Sequence, residues 1–205
     1  NEARCQEFNE AIFKRIRNGN FSFIEDVRTE CPEFDTFQKV YSPCNYSLKP
    51  GSLSTACRPC VNSSFAPDNK SPSLNQAMFV GSSLNLPIQK ITLKIRSYRE
   101  FAVNDVSNYY QSLKLSYRDR ALNLMIFREN GWCQEGQLKT LVSNVLNYGQ
   151  SFSQFLANKA KNLTSEMYIL PISEKAHLMT LCSMTDDVYC GAFTKDEREN
   201  LMNII

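Results

Sequence analysis

The sequence predicts a mainly helical fold with a small β element (an α+β fold), a disulfide-stapled extracellular domain with one long Cys/Pro-rich loop. Three observations lead to this prediction. Apolar residues recur at helical spacing along most of the 205 residues, one segment alternates at period two, and eight cysteines are dispersed along the whole chain. The seven glycines are too few for the many tight turns of an all-β sandwich.

Two helices are predicted near the N terminus, over 3–17 and 22–31. Gly19 suits the C-cap of the first helix, and Pro32 would close the second. The apolar face of the first helix consists of Cys5, Phe8, Ile12 and Ile16.

The domain organisation follows from these helices and the loop after them. We expect a helical hairpin plus a cysteine-rich loop over 1–75, and short strands followed by a helical core over 76–205. The sequence leaves open whether 1–75 packs on the rest as one domain.

Residues 42–73 predict an irregular loop, because both periodicities vanish there and prolines are frequent. The pair Cys57-x-x-Cys60 lacks the preceding strand and following helix that activate a redox thiol pair. We therefore expect Cys57 and Cys60 to anchor two different disulfides that hold the loop in shape.

The small β element is predicted at 86–97, where Ile91, Leu93 and Ile95 alternate with polar residues. The segments 77–80 and 167–170 are expected to pair with it as a small sheet or ribbon.

The other apolar patterns predict helices. Their ranges are 104–129, 137–148, a short stretch beyond Gly149, 173–184, and 195 to the C terminus. Thr194 and Glu197 have the spacing of a capping box at the start of the last helix.

Cysteines and glycosylation sequons together indicate the extracellular compartment. An even number of cysteines suits a disulfide framework; they are Cys5, Cys31, Cys44, Cys57, Cys60, Cys133, Cys182 and Cys190. Asn-x-Ser/Thr sequons, the acceptors of N-glycans, begin at Asn20, Asn45, Asn62, Asn69 and Asn162. No apolar stretch is long enough to span a membrane, and no signal peptide is visible. The protein is predicted to be secreted or to lie on the extracellular face of a membrane protein.

Residues suited to a metal site or to catalysis are scarce. A structural zinc site needs four thiolate or imidazole ligands, yet His177 is the one histidine and no second Cys-x-x-Cys occurs. The G-x-S-x-G, H-E-x-x-H and glycine-rich phosphate-loop motifs do not occur either. We therefore predict no metal, no cofactor, no catalytic residue, and a protein that is not an enzyme.

Two groups of residues are candidates for binding. The basic group, expected on one strand face where it could meet a protein, a glycan or anionic lipid headgroups, is Lys90, Lys94, Arg96 and Arg99. The acidic tip, expected to be closed by a bond between Cys182 and Cys190, is Asp186, Asp187 and Tyr189.

The predicted function is binding of another macromolecule, as in receptor–ligand recognition or in a host–pathogen or viral surface protein. The expected partner is a protein at a cell surface or in extracellular fluid, and a net charge of only +2 argues against nucleic acid. The alternative is an extracellular carrier of a small apolar ligand such as a lipid, because Phe, Leu, Ile and Met are abundant.

Overall fold

A computed structural model of the chain describes residues 2–48, 57–68, 70–128 and 137–205. It divides into two compact units: the first unit comprises 1–80 and 110–153, and the second unit comprises 81–109 and 154–205. The chain is 42% helical and 22% strand, with three small sheets. The predicted mainly helical class is therefore wrong, and the fold is a mixed one.

The helices are α1 Glu2–Arg17, α2 Ile24–Glu30, α3 Leu74–Ala77, α4 Ile88–Arg96, α5 Tyr117–Ala121, α6 Ser153–Thr164, α7 Glu174–Thr180 and α8 Lys195–Ile204. A 3-10 helix, Pro32–Thr36, follows α2, and a π-helix, Ser165–Ile169, continues α6. The strands are β1 Phe21–Phe23, β2 Tyr41–Ser42, β3 Cys44–Leu48, β4 Cys57–Val61, β5 Glu100–Asp105, β6 Leu124–Arg128, β7 Leu138–Ser143, β8 Ser183–Met184 and β9 Asp187–Ala192.

The first unit contains a four-stranded sheet in the order β1-β7-β6-β2, covered on both faces. On one face, α1 contributes Ile12 to a buried cluster with Met125. On the other, α2 contributes Val27 to a buried cluster with Leu124. Leu124 and Met125 are neighbours on β6 and are both fully buried, because successive side chains of a strand point to opposite faces.

This double burial explains why the helices predicted over 104–129 and 137–148 are wrong. The first range contains the end of β5, α5 and β6, and the second contains β7. A strand that is buried on both faces has a continuous apolar run, which periodicity cannot distinguish from a buried helix.

The strand predicted over 86–97 is also wrong, because this segment forms α4. Ile91 is 1% exposed whereas Leu93 is 69% exposed, so the apolar residues of the alternating pattern do not share a face. The spacing of Ile88, Ile91 and Ile95 is the helical one that the structure adopts. The strands predicted at 77–80 and 167–170 are absent as well: the first segment follows α3 without pairing, and the second lies in and just beyond the π-helix.

The helices predicted at both ends of the chain are confirmed. α1 and α2 match 3–17 and 22–31, and Gly19, with φ of +72°, takes the C-cap position after α1. α6, α7 and α8 match the helices predicted after Gly149, and the Glu197 amide donates to the Thr194 hydroxyl at the start of α8. α7 and α8 begin at the side-chain caps Ser173 and Thr194, and such caps are local signals.

The prediction of a disulfide-stapled domain is wrong, because no disulfide links the described cysteines. Cys31, Cys57 and Cys190 each belong to a buried apolar cluster, where the thiol packs as a small apolar group. Burial raises the pKa of the Cys44 thiol to about 12. The predicted cysteine-rich loop is partly an antiparallel hairpin of β3 and β4. Cys133 lies outside the described residues.

The second unit contains an antiparallel sheet in the order β5-β9-β8. One face is covered by α7 and α8, whose Met179 and Leu201 pack with Cys190 and Ala192 of β9. On the opposite face, Phe101, Val103 and Met184 are exposed. Among the described residues, no helix combines the length and apolarity needed to span a membrane.

We expect Leu124→Ala to lower the free energy of unfolding by about 2–5 kcal/mol, because it removes a fully buried side chain from β6. The matched control is Ile126→Ala on the same strand, where the side chain is 44% exposed and the loss should stay below about 1 kcal/mol. Both values follow from chemical denaturation curves. Equal losses for the two variants would contradict the difference in burial between Leu124 and Ile126.

Candidate functional site

The open face of the second unit's sheet carries exposed apolar side chains, and we call it the open sheet face. It consists of the exposed Phe101, Val103, Met184 and Phe193 and the half-buried Tyr189. The pairing of Val103 with Tyr189 and of Phe101 with Gly191 places these residues on one side, because opposite residues of an antiparallel pair share a face. Val188, Cys190 and Ala192 point to the covered side and are buried.

One end of the open sheet face is aromatic. Gly191 has no side chain, and a Cβ there would lie 2.2 Å from the ring of Tyr98, so this ring packs directly on the strand backbone. The ring centroids of Tyr98 and Phe193 are 5.1 Å apart. Lys175 lies 5.2 Å from the Tyr98 ring centroid and also forms an ion pair with Glu197. This end is thus held by a contact between two tilted aromatic rings and by a cation–π contact.

The other end of the open sheet face is acidic. The carboxylate oxygens of Asp105, Asp186 and Asp187 lie within 4.8 Å of one another. Asp105 and Asp187 are opposite residues of β5 and β9, and Asp186 belongs to the two-residue turn between β8 and β9. Thr185, the other residue of that turn, has φ of +62°, which is costly for a β-branched residue. The fold therefore holds three like charges together, and a cationic group of a ligand would relieve their repulsion.

Carboxylate oxygens are also the ligands that hard cations such as Ca²⁺ prefer. In the described part of the chain, Asp105, Asp186 and Asp187 form the group of side chains that could hold a metal ion. Exposed carboxylates often cluster without one, so the cluster alone does not define a metal centre.

In the structure, the residues of the predicted acidic tip lie close together. Asp105 lies beside them, although the sequence did not indicate it. Asp186, Asp187 and Tyr189 lie at and beside the β8–β9 turn as expected. The turn is held by strand pairing, with the Tyr189 amide donating to the Cys182 carbonyl at 2.9 Å, and not by a bond between Cys182 and Cys190. Asp105 was missed, because it joins the group only through the non-local pairing of β5 with β9.

The predicted basic group does not form a strand face. Lys90, Lys94 and Arg96 lie on α4, and Arg99 lies just before β5. Lys90 and Lys94 share a helix side, but Arg96 is two residues further and points elsewhere.

A second polar site runs along one side of α6 and the π-helix, at Asn158, Lys161 and Ser165. Asn158 accepts from the Tyr109 hydroxyl and donates to Asn85 at 2.8 Å. Lys161 donates to the Ser183 hydroxyl. The Ser165 hydroxyl lies 2.9 Å from Nδ1 of His177, and this hydrogen bond gives the histidine a structural role on α7.

Lys161 is the most perturbed group of this polar site. Burial lowers the pKa of its ammonium to about 8, and the nearby Cys182 thiol opposes this only in part. A neutral amine beside a serine hydroxyl is the pair used by Ser–Lys nucleophiles. Ser183 is only 2% exposed, however, so a substrate cannot reach its hydroxyl in this conformation. The pair therefore fits a structural contact better than a catalytic one.

The predicted glycosylation sites lie in several environments. Asn45 on β3 is exposed, whereas Asn20, Asn62 and Asn162 are half-buried. Asn69 lies outside the described residues.

The first unit contains a cavity of about 390 Å³ that opens between Tyr41, Phe65 and Ile126. Its volume falls at the lower end of the range found for small-molecule sites.

No known family model matches the chain, and no curated protein is similar to it in sequence.

We expect the pH dependence of stability to reveal the lowered pKa of Lys161. The pKa of this group is lower in the folded protein than in the unfolded chain, so its cost to folding is full below about pH 8 and disappears as the pH rises toward 10.5. Replacing Lys161 by Met removes this cost. The gain in the free energy of unfolding of Lys161→Met over wild type should therefore be larger at pH 7 than at pH 10.

Chemical denaturation of both proteins at the two pH values measures this difference, in which the shared contributions of the thiols cancel. The control is Lys159→Met, an exposed lysine of the same helix, which shows the effect of losing a lysine from this helix outside the polar site. A pH-independent difference for Lys161→Met would contradict the lowered pKa.

Proposed function

We propose that the protein binds another protein through the open sheet face, and that the partner surface carries apolar side chains flanked by lysine or arginine. The observation that carries this proposal is an exposed apolar sheet face that ends in three carboxylates. Phe101, Phe193, Met184 and Val103 are 59%, 56%, 46% and 44% exposed. A contiguous apolar patch of this kind is unusual on a protein without a partner, because leaving it in water is costly.

The chemistry of the partner follows from the two ends of the face. Apolar side chains of the partner would cover Phe101 and Val103, and a cation would lie beside Asp186 and Asp187, where it offsets the repulsion between the carboxylates. Tyr189, between the two regions, offers an aromatic face to the same cation. Such a surface selects against acidic partners, since they would add a fourth negative charge.

The test uses a fluorescent peptide of alternating valine and lysine, with valine–glutamate and serine–lysine versions as specificity controls. We expect binding of the valine–lysine peptide by fluorescence anisotropy. The double substitution Asp186→Asn with Asp187→Asn should raise Kd about tenfold and reduce the dependence of binding on salt. Equal binding of the valine–glutamate peptide would contradict the proposal.

The apolar part is tested by Phe101→Ser, which should raise Kd by about tenfold or more, because it removes a large exposed ring from the face. The matched control is Phe79→Ser, a phenylalanine that is 82% exposed in the first unit. If both variants weaken binding equally, the peptide does not bind at the open sheet face.

A location outside the cell is part of this proposal, and the sequons support it. Asn45 is the exposed acceptor and lies on a strand at the surface. Peptide mass spectrometry of protein made in a secretory host should find a glycan on Asn45, and an unmodified Asn45 would count against this location.

A second candidate function, carriage of a small apolar ligand, is favoured by the cavity of the first unit. Its rim residues Tyr41, Phe65 and Ile126 are apolar and exposed. Native mass spectrometry of protein from its natural source would detect a co-purified lipid, and Ile126→Arg should abolish its retention. Lipid-free protein with a bound protein partner would favour the open sheet face instead.

A further inference from the structure

The strand β5 lies at the edge of its sheet. The strand order is β5-β9-β8, so within the described residues β5 pairs on one side only. Its exposed residues include Phe101 and Val103. An edge strand with apolar side chains is a template for pairing with another strand, and monomeric proteins usually block it with lysine, proline or a bulge.

The hydrogen-bonding groups at this edge follow from the register with β9. The Val106 amide donates to the Asp186 carbonyl at 2.9 Å, and these residues continue the register in which Asp105 opposes Asp187. Hydrogen-bonded and non-hydrogen-bonded pairs alternate along an antiparallel ladder. The amide and carbonyl groups of Phe101 and Val103 therefore point away from β9, toward the open edge.

The residues along this edge are self-complementary about Ala102. In an antiparallel pair of two copies centred there, each Phe101 lies opposite Val103 of the other copy, and each Arg99 lies opposite Asp105. Glu100 lies opposite Asn104, and the small Ala102 meets itself at the two-fold axis.

The register agrees with the direction of the backbone groups. Phe101 and Val103 form the hydrogen-bonded pairs, and these are the residues whose amides and carbonyls face the edge. A register centred on Val103 would instead place Phe101 opposite a carboxylate and Arg99 opposite Ser107. Charge and apolar complementarity therefore select the register centred on Ala102.

We propose that two copies of the chain pair antiparallel along β5, centred on Ala102, and join their three-stranded sheets into one continuous sheet. Each Asp105 gains the guanidinium of the other copy's Arg99, which offsets part of the repulsion within its carboxylate cluster. Tyr189, Met184, Asp186 and Asp187 stay accessible, so the dimer presents two copies of the remaining face. The dimer goes beyond the proposed function and can exist without it.

The experiment measures the mass of the full chain by sedimentation velocity between about 5 and 500 µM, a range that resolves micromolar dissociation constants. We expect a concentration-dependent dimer of the 23.5 kDa chain. Val103→Lys should raise the dissociation constant about tenfold or more, because it places a charge opposite Phe101. Val80→Lys, at another exposed valine, should leave it unchanged.

A charge-swap series tests the register itself. Arg99→Asp sets two aspartates opposite each other, and Asp105→Arg sets two arginines opposite each other, so each variant should weaken its own dimer about tenfold. Mixing the two variants restores opposite charges at both ends of the strand pair, and the mixture should form a heterodimer of near wild-type affinity. The double variant Arg99→Asp with Asp105→Arg should also recover.

A wild-type protein that stays monomeric at about 500 µM would overturn the proposal, and so would a dimer that none of these substitutions weakens. Failure of the mixture to recover, with both variants folded by circular dichroism, would overturn the register. The peptide measurement is independent of this outcome: Arg99→Asp weakens the dimer but retains Asp105, Asp186 and Asp187, so peptide binding can be measured on this variant as a monomer.

Discussion

The register between β5 and β9 is the constraint on which the second unit depends. Because side chains alternate along a strand, this register decides that Val188, Cys190 and Ala192 face the helices and that Val103 and Tyr189 face solvent. A slip of one residue would turn the apolar set outward and bury charged groups, at a cost far beyond what the unit could tolerate. The same register places Asp105 beside Asp187 and directs the backbone groups of Phe101 and Val103 to the edge.

The sequence correctly predicted helices whose signals are local. It did not predict the strands, because their positions are decided by pairing with residues that are distant in the chain. α1 and α8 have one apolar face and clear ends, and both were predicted within a few residues. β6 and β7 read as helices, because part of each strand is buried on both sides: Leu124 and Met125 of β6 and Leu141 and Val142 of β7 are all fully buried. For the candidate site, Asp186, Asp187 and Tyr189 were expected at the tip of a loop closed by Cys182 and Cys190, whereas in the structure they lie at and beside the turn between β8 and β9. Asp105, 81 residues before Asp186 by number, could not be predicted, since only strand pairing brings it there.

The polar residues along α6 show a different way in which the second unit is specified. Asn158 bonds to Tyr109 and Asn85, Lys161 to Ser183 and Ser165 to His177, so rotation of the helix would break several hydrogen bonds at once. Apolar packing alone tolerates small rotations, whereas a buried donor without an acceptor is costly.

The buried cysteines do not restrict the orientation of their elements in this way. As thiols in apolar clusters, Cys31, Cys57 and Cys190 fill space and impose no direction.

The contact between Tyr98 and Gly191 has a consequence for how the sequence can vary. Position 191 is restricted by space, because even a methyl group would collide with the ring, and its backbone does not need the left-handed conformation. A larger residue there would be accepted only together with a smaller one at position 98. The two positions should therefore change as a pair in any natural variants of this protein, which gives a signature for recognising them from sequence alone.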